Sequence, residues 1–202
     1  MPPDWVDRQL RRRGIRDARV LAAMRAVPRA AFVPADLRSS AYEDAALEIG
    51  YGQTISQPYV VALICEALEL AGDELVLDVG TGSGYQAAVL DELAGRVVSV
   101  ERISELAEQA RRTLEATGHG SVEVLVGDGS LGLPEWAPFE AIAVAAAAAE
   151  LPPALVEQLA PGGRLVLPVG EQLVRATRAP EGLRIEPLAP VRFVPLVAGP
   201  AE

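Results

Sequence analysis

The stretch VLDVGTGSGYQ, residues 76–86, most constrains the fold, because it joins an apolar strand to a helix through a glycine-rich turn. From residue 75 onward, short apolar runs alternate with segments of helical period. Strands separated by helices form a mostly parallel sheet with helices on both faces. We therefore predict an α/β, Rossmann-like fold with antiparallel strands near the C-terminus and a helical region at the N-terminus.

The N-terminal third of the chain follows a different pattern. Two short helices are predicted at residues 4–13 and 17–27, and Asp17 is placed to cap the second. Residues 28–57 show no sustained period, and a long loop in a compact domain is usually functional. The next helix is expected to begin at Pro58 and to end near residue 70.

The length of 202 residues fits one well-packed domain and is too short for two of ordinary size. We expect a single domain over residues 1–202. Within it, residues 1–57 form a helical and substrate-loop region, residues 58–170 a cofactor-binding α/β core, and residues 171–202 the C-terminal strands.

Charge and composition exclude several classes of protein. A formal net charge of −10 disfavours a nucleic-acid binder, whose surface would be basic. No apolar stretch reaches the roughly 18 residues that span a bilayer, and the first residues do not resemble a secretory signal. The single cysteine, Cys65, cannot form an internal disulfide and fits a reducing compartment. We expect a cytoplasmic monomer.

The residue types that are missing also limit the catalytic mechanisms open to the chain. All 18 basic residues are arginine, so the chain has no lysine to form a Schiff base. Its one histidine, His119, lies in a predicted turn. General acid–base catalysis by histidine is therefore disfavoured.

The glycine-rich turn itself indicates the class of cofactor. Gly80, Gly82 and Gly84 let the backbone turn tightly and approach a ligand, although Gly82 and Gly84 also match a relaxed dinucleotide-binding spacing. Asp78 precedes the first glycine by two residues, and a carboxylate there opposes a pyrophosphate and favours a cation. S-adenosylmethionine has no phosphates and carries a sulfonium, so it fits this turn best.

Two further acidic residues are spaced as a nucleoside requires. Glu101 ends the second strand, 21 residues after Gly80, where its oxygens can accept both ribose hydroxyls. Asp128 follows the third strand and is placed to meet the adenine edge. With the glycine turn, these acids predict an S-adenosylmethionine site with no metal.

Several segments together resemble one enzyme family. VPRAAFVP, GYGQTISQP, VLDVGTGSGYQ, GDG, LAPGGRLVLPVG and VRFVPLV occur in this order. The set is similar to bacterial protein-L-isoaspartate (D-aspartate) O-methyltransferases over about residues 20–198. GQTISQP joined to GTGSGYQ at this spacing is specific, whereas the glycine turn alone is shared by many methyltransferases.

The resemblance implies a methyl transfer from S-adenosylmethionine to the free carboxylate of an isoaspartyl residue in a damaged protein, which begins repair through a succinimide. It makes Ser56 the active-site serine. It assigns the cofactor site to Gln57, Pro58, Tyr59, Val60, Gly80, Glu101, Asp128 and Gly129.

A neutral hydroxyl suits this reaction, because an ionised substrate carboxylate needs no base to activate it. Ser56 and Thr54 can orient that carboxylate without holding it as tightly as a lysine would. A purely structural role for Ser56, as the N-cap of the helix that begins at Pro58, is the alternative.

Three other functions are compatible with parts of the pattern. The acceptor could be an ordinary aspartate in one dedicated peptide, or a small carboxylic acid. A protein could also hold S-adenosylmethionine without turnover, which the intact TISQP stretch disfavours. A nicotinamide-dependent dehydrogenase is disfavoured by Asp78 and by the lack of a catalytic acid–base residue.

Overall fold

The structure, a computed structural model, describes residues 4–199, so residues 1–3 and 200–202 of the expected domain lie outside the described part. Its α-helices are α1 (Trp5–Gln9), α2 (Ala18–Ala26), α3 (Pro58–Leu68), α4 (Tyr85–Asp91), α5 (Ser104–Ala116) and α6 (Pro153–Glu157). Its strands are β1 (Leu47–Gly50), β2 (Gln53–Ile55), β3 (Leu75–Val79), β4 (Arg96–Glu101), β5 (Glu123–Val126), β6 (Phe139–Val144), β7 (Leu159–Val169), β8 (Gln172–Ala179) and β9 (Gly182–Pro190).

Strands β3 to β9 form one sheet in the order β5-β4-β3-β6-β7-β8-β9. The first five strands in that order are parallel, and β8 and β9 are added antiparallel. The predicted Rossmann-like architecture is confirmed. Strand order reverses between β3 and β6, and ligands of such sheets bind at the carboxyl ends of the strands beside this switch point.

Apolar side chains cover both faces of the sheet. In β3, Val76 packs with the helices of the N-terminal half, whereas Leu77 and Val79 pack on the opposite face with residues such as Leu155 of α6. Burial on both faces explains why these strands read as continuous apolar runs. No helix within residues 4–199 combines the length and the apolar character needed to cross a bilayer.

The N-terminal region contains the two predicted helices, although α1 is shorter than expected and continues as a 3₁₀ turn at Arg11–Arg13. Asp17 caps α2 as predicted, because its side chain accepts hydrogen bonds from the backbone N–H groups of Arg19 and Val20. These bonds satisfy donors that the first helical turn leaves free.

Residues 28–57 contain more regular structure than the sequence indicates. Two 3₁₀ turns, Arg29–Phe32 and Ala35–Ser40, precede an antiparallel hairpin of β1 and β2. The hairpin turns through Gly50, Tyr51 and Gly52, all with positive φ. The prediction of an irregular loop was wrong here, because strands of three and four residues are too short to show a period.

Candidate active site

A cleft lies at the carboxyl ends of β3, β4 and β6. Its walls come from separate parts of the chain, namely residues 53–56, 79–83, 85–86, 100–103, 145–146 and 194–197, together with Val61 and Gly129. The cleft therefore occupies the switch point of the sheet, and the β1–β2 hairpin and the C-terminal segment close it on the outside.

The glycine-rich turn forms the floor of the cleft at two of its three glycines. Gly80, Gly82 and Gly84 have φ of 89°, 52° and 88°, a region that side chains disfavour. Gly80 and Gly82 line the cleft. Gly84 does not line it, and a Cβ there would lie 3.2 Å from Leu114 of α5. Gly84 thus serves helix packing.

Glu101 lies on the wall of the cleft at the end of β4 and is 6% exposed. Its Oε2 accepts a hydrogen bond from the N–H of Gly82 (2.8 Å), and its Oε1 accepts one from the N–H of Ile103 (3.0 Å). A carboxylate has about four lone-pair sites, so both oxygens can accept further bonds. Glu101 therefore also fixes the glycine turn to β4, which the sequence did not indicate.

Asp78 lies behind the wall of the cleft and is fully buried. It accepts hydrogen bonds from Gln86 Nε2 (2.8 Å) and Ser99 Oγ (2.7 Å). Burial raises the pKa of Asp78 to about 6, against the effect of these two bonds, and the nearby charge of Glu101 adds to the rise. The structure does not bring Asp78 to the cleft surface, where the sequence interpretation placed it.

Asp128 and Gly129 follow β5, and of the two only Gly129 lines the cleft. Asp128 accepts hydrogen bonds from Ser130 and, through Oδ2, from the N–H of Gly199 (2.7 Å). Partial burial acts to raise its pKa, but these bonds and the charge of Arg102 hold the pKa below its ordinary value. Gly129 lines the cleft, and a Cβ there would lie 2.6 Å from Val79.

Ser56 and Thr54 lie where the cleft meets a second groove. The groove borders residues 44–46, 57, 60, 171 and 190–194, and it shares four residues with the cleft: Thr54, Ser56, Ala145 and Val194. The N-cap of α3 is Gln57, and its side chain makes no capping bond. The alternative role of Ser56 as an N-cap is therefore wrong, because Ser56 lies one residue too early.

None of the four residues after Ser56 lines the cleft. Gln57 and Val60 line the groove, and Gln57 Nε2 donates to the carbonyl of Asp44 (3.1 Å). Pro58 is buried at the start of α3. The ring of Tyr59 lies under the guanidinium of Arg13. These residues thus support the position of Ser56.

The sequence did not identify several residues of the cleft. Thr81, Ser83, Gln86, Arg102, Ile103 and Val194–Val197 all line it. The segment at 194–197 is held to the sheet by Ala147, whose N–H donates to Val194 and whose carbonyl accepts from Leu196. No local motif marks these contacts, since they join residues almost fifty positions apart.

The geometry can be tested against the expected cofactor. Glu101 retains acceptor sites for hydroxyls, Gly80, Gly82 and Gly129 line the cleft, and Gln86 carries a buried side-chain oxygen with no partner. No lysine is available to bind a phosphate. Within residues 4–199, His, Cys, Asp and Glu form no group of three or more that could hold a metal. The residues therefore fit S-adenosylmethionine.

Comparison with known proteins gives a consistent result. The family model described as protein-L-isoaspartate (D-aspartate) O-methyltransferase matches residues 5–201. Protein-L-isoaspartate O-methyltransferase 1 of Rhodopseudomonas palustris is 55% identical over 198 residues, which cover 95% of this chain and 81% of the relative. The Anaeromyxobacter dehalogenans enzyme is 58% identical over 190 residues, 91% of either chain.

A solved structure supports the same relationship. The protein-L-isoaspartate O-methyltransferase of Plasmodium falciparum, in complex with S-adenosyl-L-homocysteine, superposes with a TM-score of 0.83 at 27% identity. The superposition covers 96% of this chain and 97% of that one. Sequence and fold thus agree over nearly the whole length, and the chain belongs to the protein-L-isoaspartate (D-aspartate) O-methyltransferase family.

Proposed function

We propose that this protein transfers a methyl group from S-adenosylmethionine to the free carboxylate of L-isoaspartyl and D-aspartyl residues in damaged proteins and peptides. The observation that carries this function is the meeting of the cleft and the groove at Ser56 and Thr54. A cofactor in the cleft and a peptide in the groove would face each other there. The comparisons support the same reaction through the names of the relatives.

The cofactor residues are assigned by their place along the cleft. Glu101, at the end of β4, accepts hydrogen bonds from the ribose hydroxyls. Asp128 and Gly129, at the end of β5, contact the adenine. Gly80 and Gly82 let the backbone approach the ligand, and Asp78 and Gly84 maintain the shape of the turn from behind. When bound, S-adenosylmethionine supplies an electrophilic methyl group on a sulfonium.

The acceptor side needs orientation more than activation. A substrate carboxylate is ionised at neutral pH and is itself the nucleophile. The hydroxyls of Ser56 and Thr54 donate hydrogen bonds that hold it in line, and effects of this kind are worth up to roughly 7–11 kcal/mol. Gln57, Pro58, Tyr59 and Val60 hold Ser56 in place from the first turn of α3.

The product of this step is a methyl ester at the isoaspartyl side chain. The neighbouring backbone nitrogen attacks the ester and displaces methanol, which forms a succinimide. Hydrolysis of the succinimide returns part of the material to normal aspartate, so repeated rounds repair the chain.

The chain acts as one catalytic unit, and we assign residues 1–57 to the substrate side, 58–170 to the cofactor core and 171–202 to the closing strands. The walls of the cleft include residues from all three parts, which supports a single unit that works as a monomer. The lone buried thiol of Cys65 supports a cytoplasmic location. The net charge of −10 supports proteins, and not nucleic acids, as partners.

One assay tests the function. Tritium transfer from labelled S-adenosylmethionine is measured with an isoaspartyl peptide and with the peptide of the same sequence that contains a normal aspartyl residue. We expect label in the isoaspartyl peptide alone. Equal labelling of both peptides would overturn the proposal and favour methylation of an ordinary aspartate in a dedicated peptide. Labelling of a small acid alone would favour a small-molecule methyltransferase.

A further inference from the structure

We propose that Asp128 is a site of isoaspartate formation in this chain, and that the C-terminal segment, residues 194–199, protects it in the folded protein. This damage to the protein itself goes beyond the proposed function. Isoaspartate forms without an enzyme, so the reaction at Asp128 is independent of methyl transfer.

Only one pair of residues in the chain is highly susceptible to this reaction. The backbone nitrogen of the next residue attacks the side-chain carbonyl carbon of an aspartate or an asparagine. A following glycine hinders the attack least, because it has no Cβ and a flexible backbone. The chain has no asparagine, and of its aspartates only Asp128 precedes a glycine.

The packing of the site requires that glycine. A Cβ at Gly129 would lie 2.6 Å from Cγ1 of Val79 and 3.2 Å from Cγ1 of Val100. Both valines are buried in the sheet, and β-branched side chains have little rotamer freedom. A larger residue that would slow the reaction therefore does not fit at this position.

The reaction begins with the loss of one water molecule. The nitrogen of Gly129 bonds to Cγ of Asp128, the C–OH bond of the protonated carboxyl breaks, and the hydroxyl leaves with the amide proton. Water then opens the succinimide, and attack at the main-chain carbonyl carbon breaks its bond to nitrogen and leaves isoaspartate. The backbone after β5 gains a methylene group, which under the proposed function disrupts the place assigned to the adenine.

The folded conformation of Asp128 opposes this reaction in two ways. At its ψ of 98°, Cβ and the nitrogen of Gly129 point to opposite sides of the Cα–C bond, whereas ring closure requires them on the same side. Ser130 also donates to Oδ1 through its N–H (2.9 Å) and its Oγ (2.6 Å), and the N–H of Gly199 donates to Oδ2 (2.7 Å). Partial burial acts to raise the pKa of Asp128, but these bonds and the charge of Arg102 keep it below its ordinary value. The protonated carboxyl that loses water is therefore scarce.

The bond from Gly199 depends on how the C-terminal segment docks. The N–H of Ala147 donates to the carbonyl of Val194 (2.8 Å), and its carbonyl accepts from the N–H of Leu196 (2.7 Å). The side chain of Leu196 packs against the apolar cluster that contains Leu77. When the segment detaches, the carboxylate loses a donor and the turn after β5 is free to rotate. Damage therefore follows the population of this open state.

The experiment measures isoaspartate at residue 128 by peptide mapping with electron-transfer fragmentation, which distinguishes isoaspartyl from aspartyl residues. Wild-type protein is incubated at neutral pH without S-adenosylmethionine, either native or unfolded in urea. In urea, residue 128 should convert faster than any other aspartate. In native protein its conversion should be slower by about tenfold or more, the factor that about 1.4 kcal/mol of opening free energy gives.

Two matched variants locate the protection. Leu196→Ser weakens the docking of the C-terminal segment and should raise the native rate at residue 128 by about tenfold. Leu183→Ser, on β9 at the opposite edge of the sheet from β5, should keep the wild-type rate. If Leu196→Ser does not fold, Ser130→Ala takes its place, since it removes the bond from Oγ and should also raise the native rate.

Three results would overturn the proposal. Equal rates at residue 128 in native and unfolded protein would show that the fold gives no protection. In urea, a rate no higher than at Asp17 or Asp44, which precede alanine, would exclude Asp128 as the damage site. A wild-type native rate in Leu196→Ser would exclude the C-terminal segment as its protector. Failure of the proposed function would appear in the tritium assay instead and would leave these rates unchanged.

Discussion

The guanidinium of Arg13 lies 3.8 Å from the ring centroid of Tyr59 and forms an ion pair with Asp44. Asp44 lines the groove next to Ser56, where the proposed substrate brings a negative carboxylate. Tyr59 lies in the first turn of α3, three residues after Ser56. Arg13 therefore joins the N-terminal helices to the groove and neutralises an acid at its rim.

This arrangement predicts that Arg13→Gln will weaken binding of an isoaspartyl peptide, because it leaves the charge of Asp44 uncompensated. The pair is partly exposed, so we expect a rise in KM of about two- to fivefold that shrinks in high salt. Asp44→Asn in the same chain should restore KM. A double variant as impaired as Arg13→Gln alone would show that Arg13 acts through packing on Tyr59.

The second prediction concerns Ser56. Ser56→Ala should lower kcat/KM for the isoaspartyl peptide by about 10- to 100-fold, the loss of a hydrogen bond to a charged group. The melting temperature should not change, since the side chain does not cap α3. Ser56→Asp should be nearly inactive because its charge repels the carboxylate, yet it should still bind S-adenosylmethionine. Wild-type turnover by Ser56→Asp would refute the proposed role. Ser39→Ala, on an exposed 3₁₀ turn, is the control.

The third prediction concerns Glu101. Glu101→Gln places an amide nitrogen opposite the N–H of Gly82 or Ile103 and removes an acceptor for the ribose. We expect affinity for S-adenosyl-L-homocysteine to fall by about 10- to 100-fold in calorimetry. Glu108→Gln, on the exposed face of α5, should bind as the wild type does. Unchanged affinity in Glu101→Gln would mean that Glu101 only holds the glycine turn.

The fourth prediction is a pH dependence of stability. The native pKa of Asp78, about 6, lies above its ordinary value of 3.8, so the folded state binds the proton more tightly than the unfolded state. The contribution of Asp78 to stability therefore falls as pH rises from about 4 to 6, by about 2 kcal/mol. The unfolding free energy of wild type minus that of Asp78→Asn, from urea titrations, should decrease by about this amount between those pH values. A flat difference would contradict the prediction.

A control with the opposite sign is available in the sheet. Hydrogen bonding from Arg175 holds the pKa of Glu186 below its ordinary value. The stabilisation that Glu186 provides is present above its unfolded pKa and is lost as pH falls. The difference between wild type and Glu186→Gln should therefore increase with pH, opposite to that for Asp78→Asn.

The sequence predicted the parts of the site that depend on strand ends. Glu101 lies at the end of an apolar run, and Gly80 opens the turn after another, so the rule for parallel sheets brings both to one edge. The same rule does not predict the position of the Asp78 side chain, which is buried away from the cleft. It lies in β3 between Leu77 and Val79, and alternation turns its side chain to the opposite face from theirs. The strand assignment was right, but it did not show which face the cleft would use.

The remaining parts of the site depend on long-range packing. Val194–Val197 enter the cleft because Ala147 holds them against the sheet, and no period or motif within the segment indicates this contact. The β1–β2 hairpin is likewise too short to detect from its residues. The hydrogen bond from Gln86 to Asp78 could not be predicted either, because it depends on how α4 packs against β3.

The closure of the cleft by its last segment has a consequence for the order of events in the cell. Residues 194–197 form one wall of the cleft, and Gly199 bonds Asp128, so this wall is synthesised after all the strands of the sheet that it closes. Strands β3 to β7 can pair while translation continues, but the pocket is incomplete until the C-terminal segment arrives. A nascent chain that has not yet reached residue 199 therefore has the framework of the sheet without a complete binding pocket.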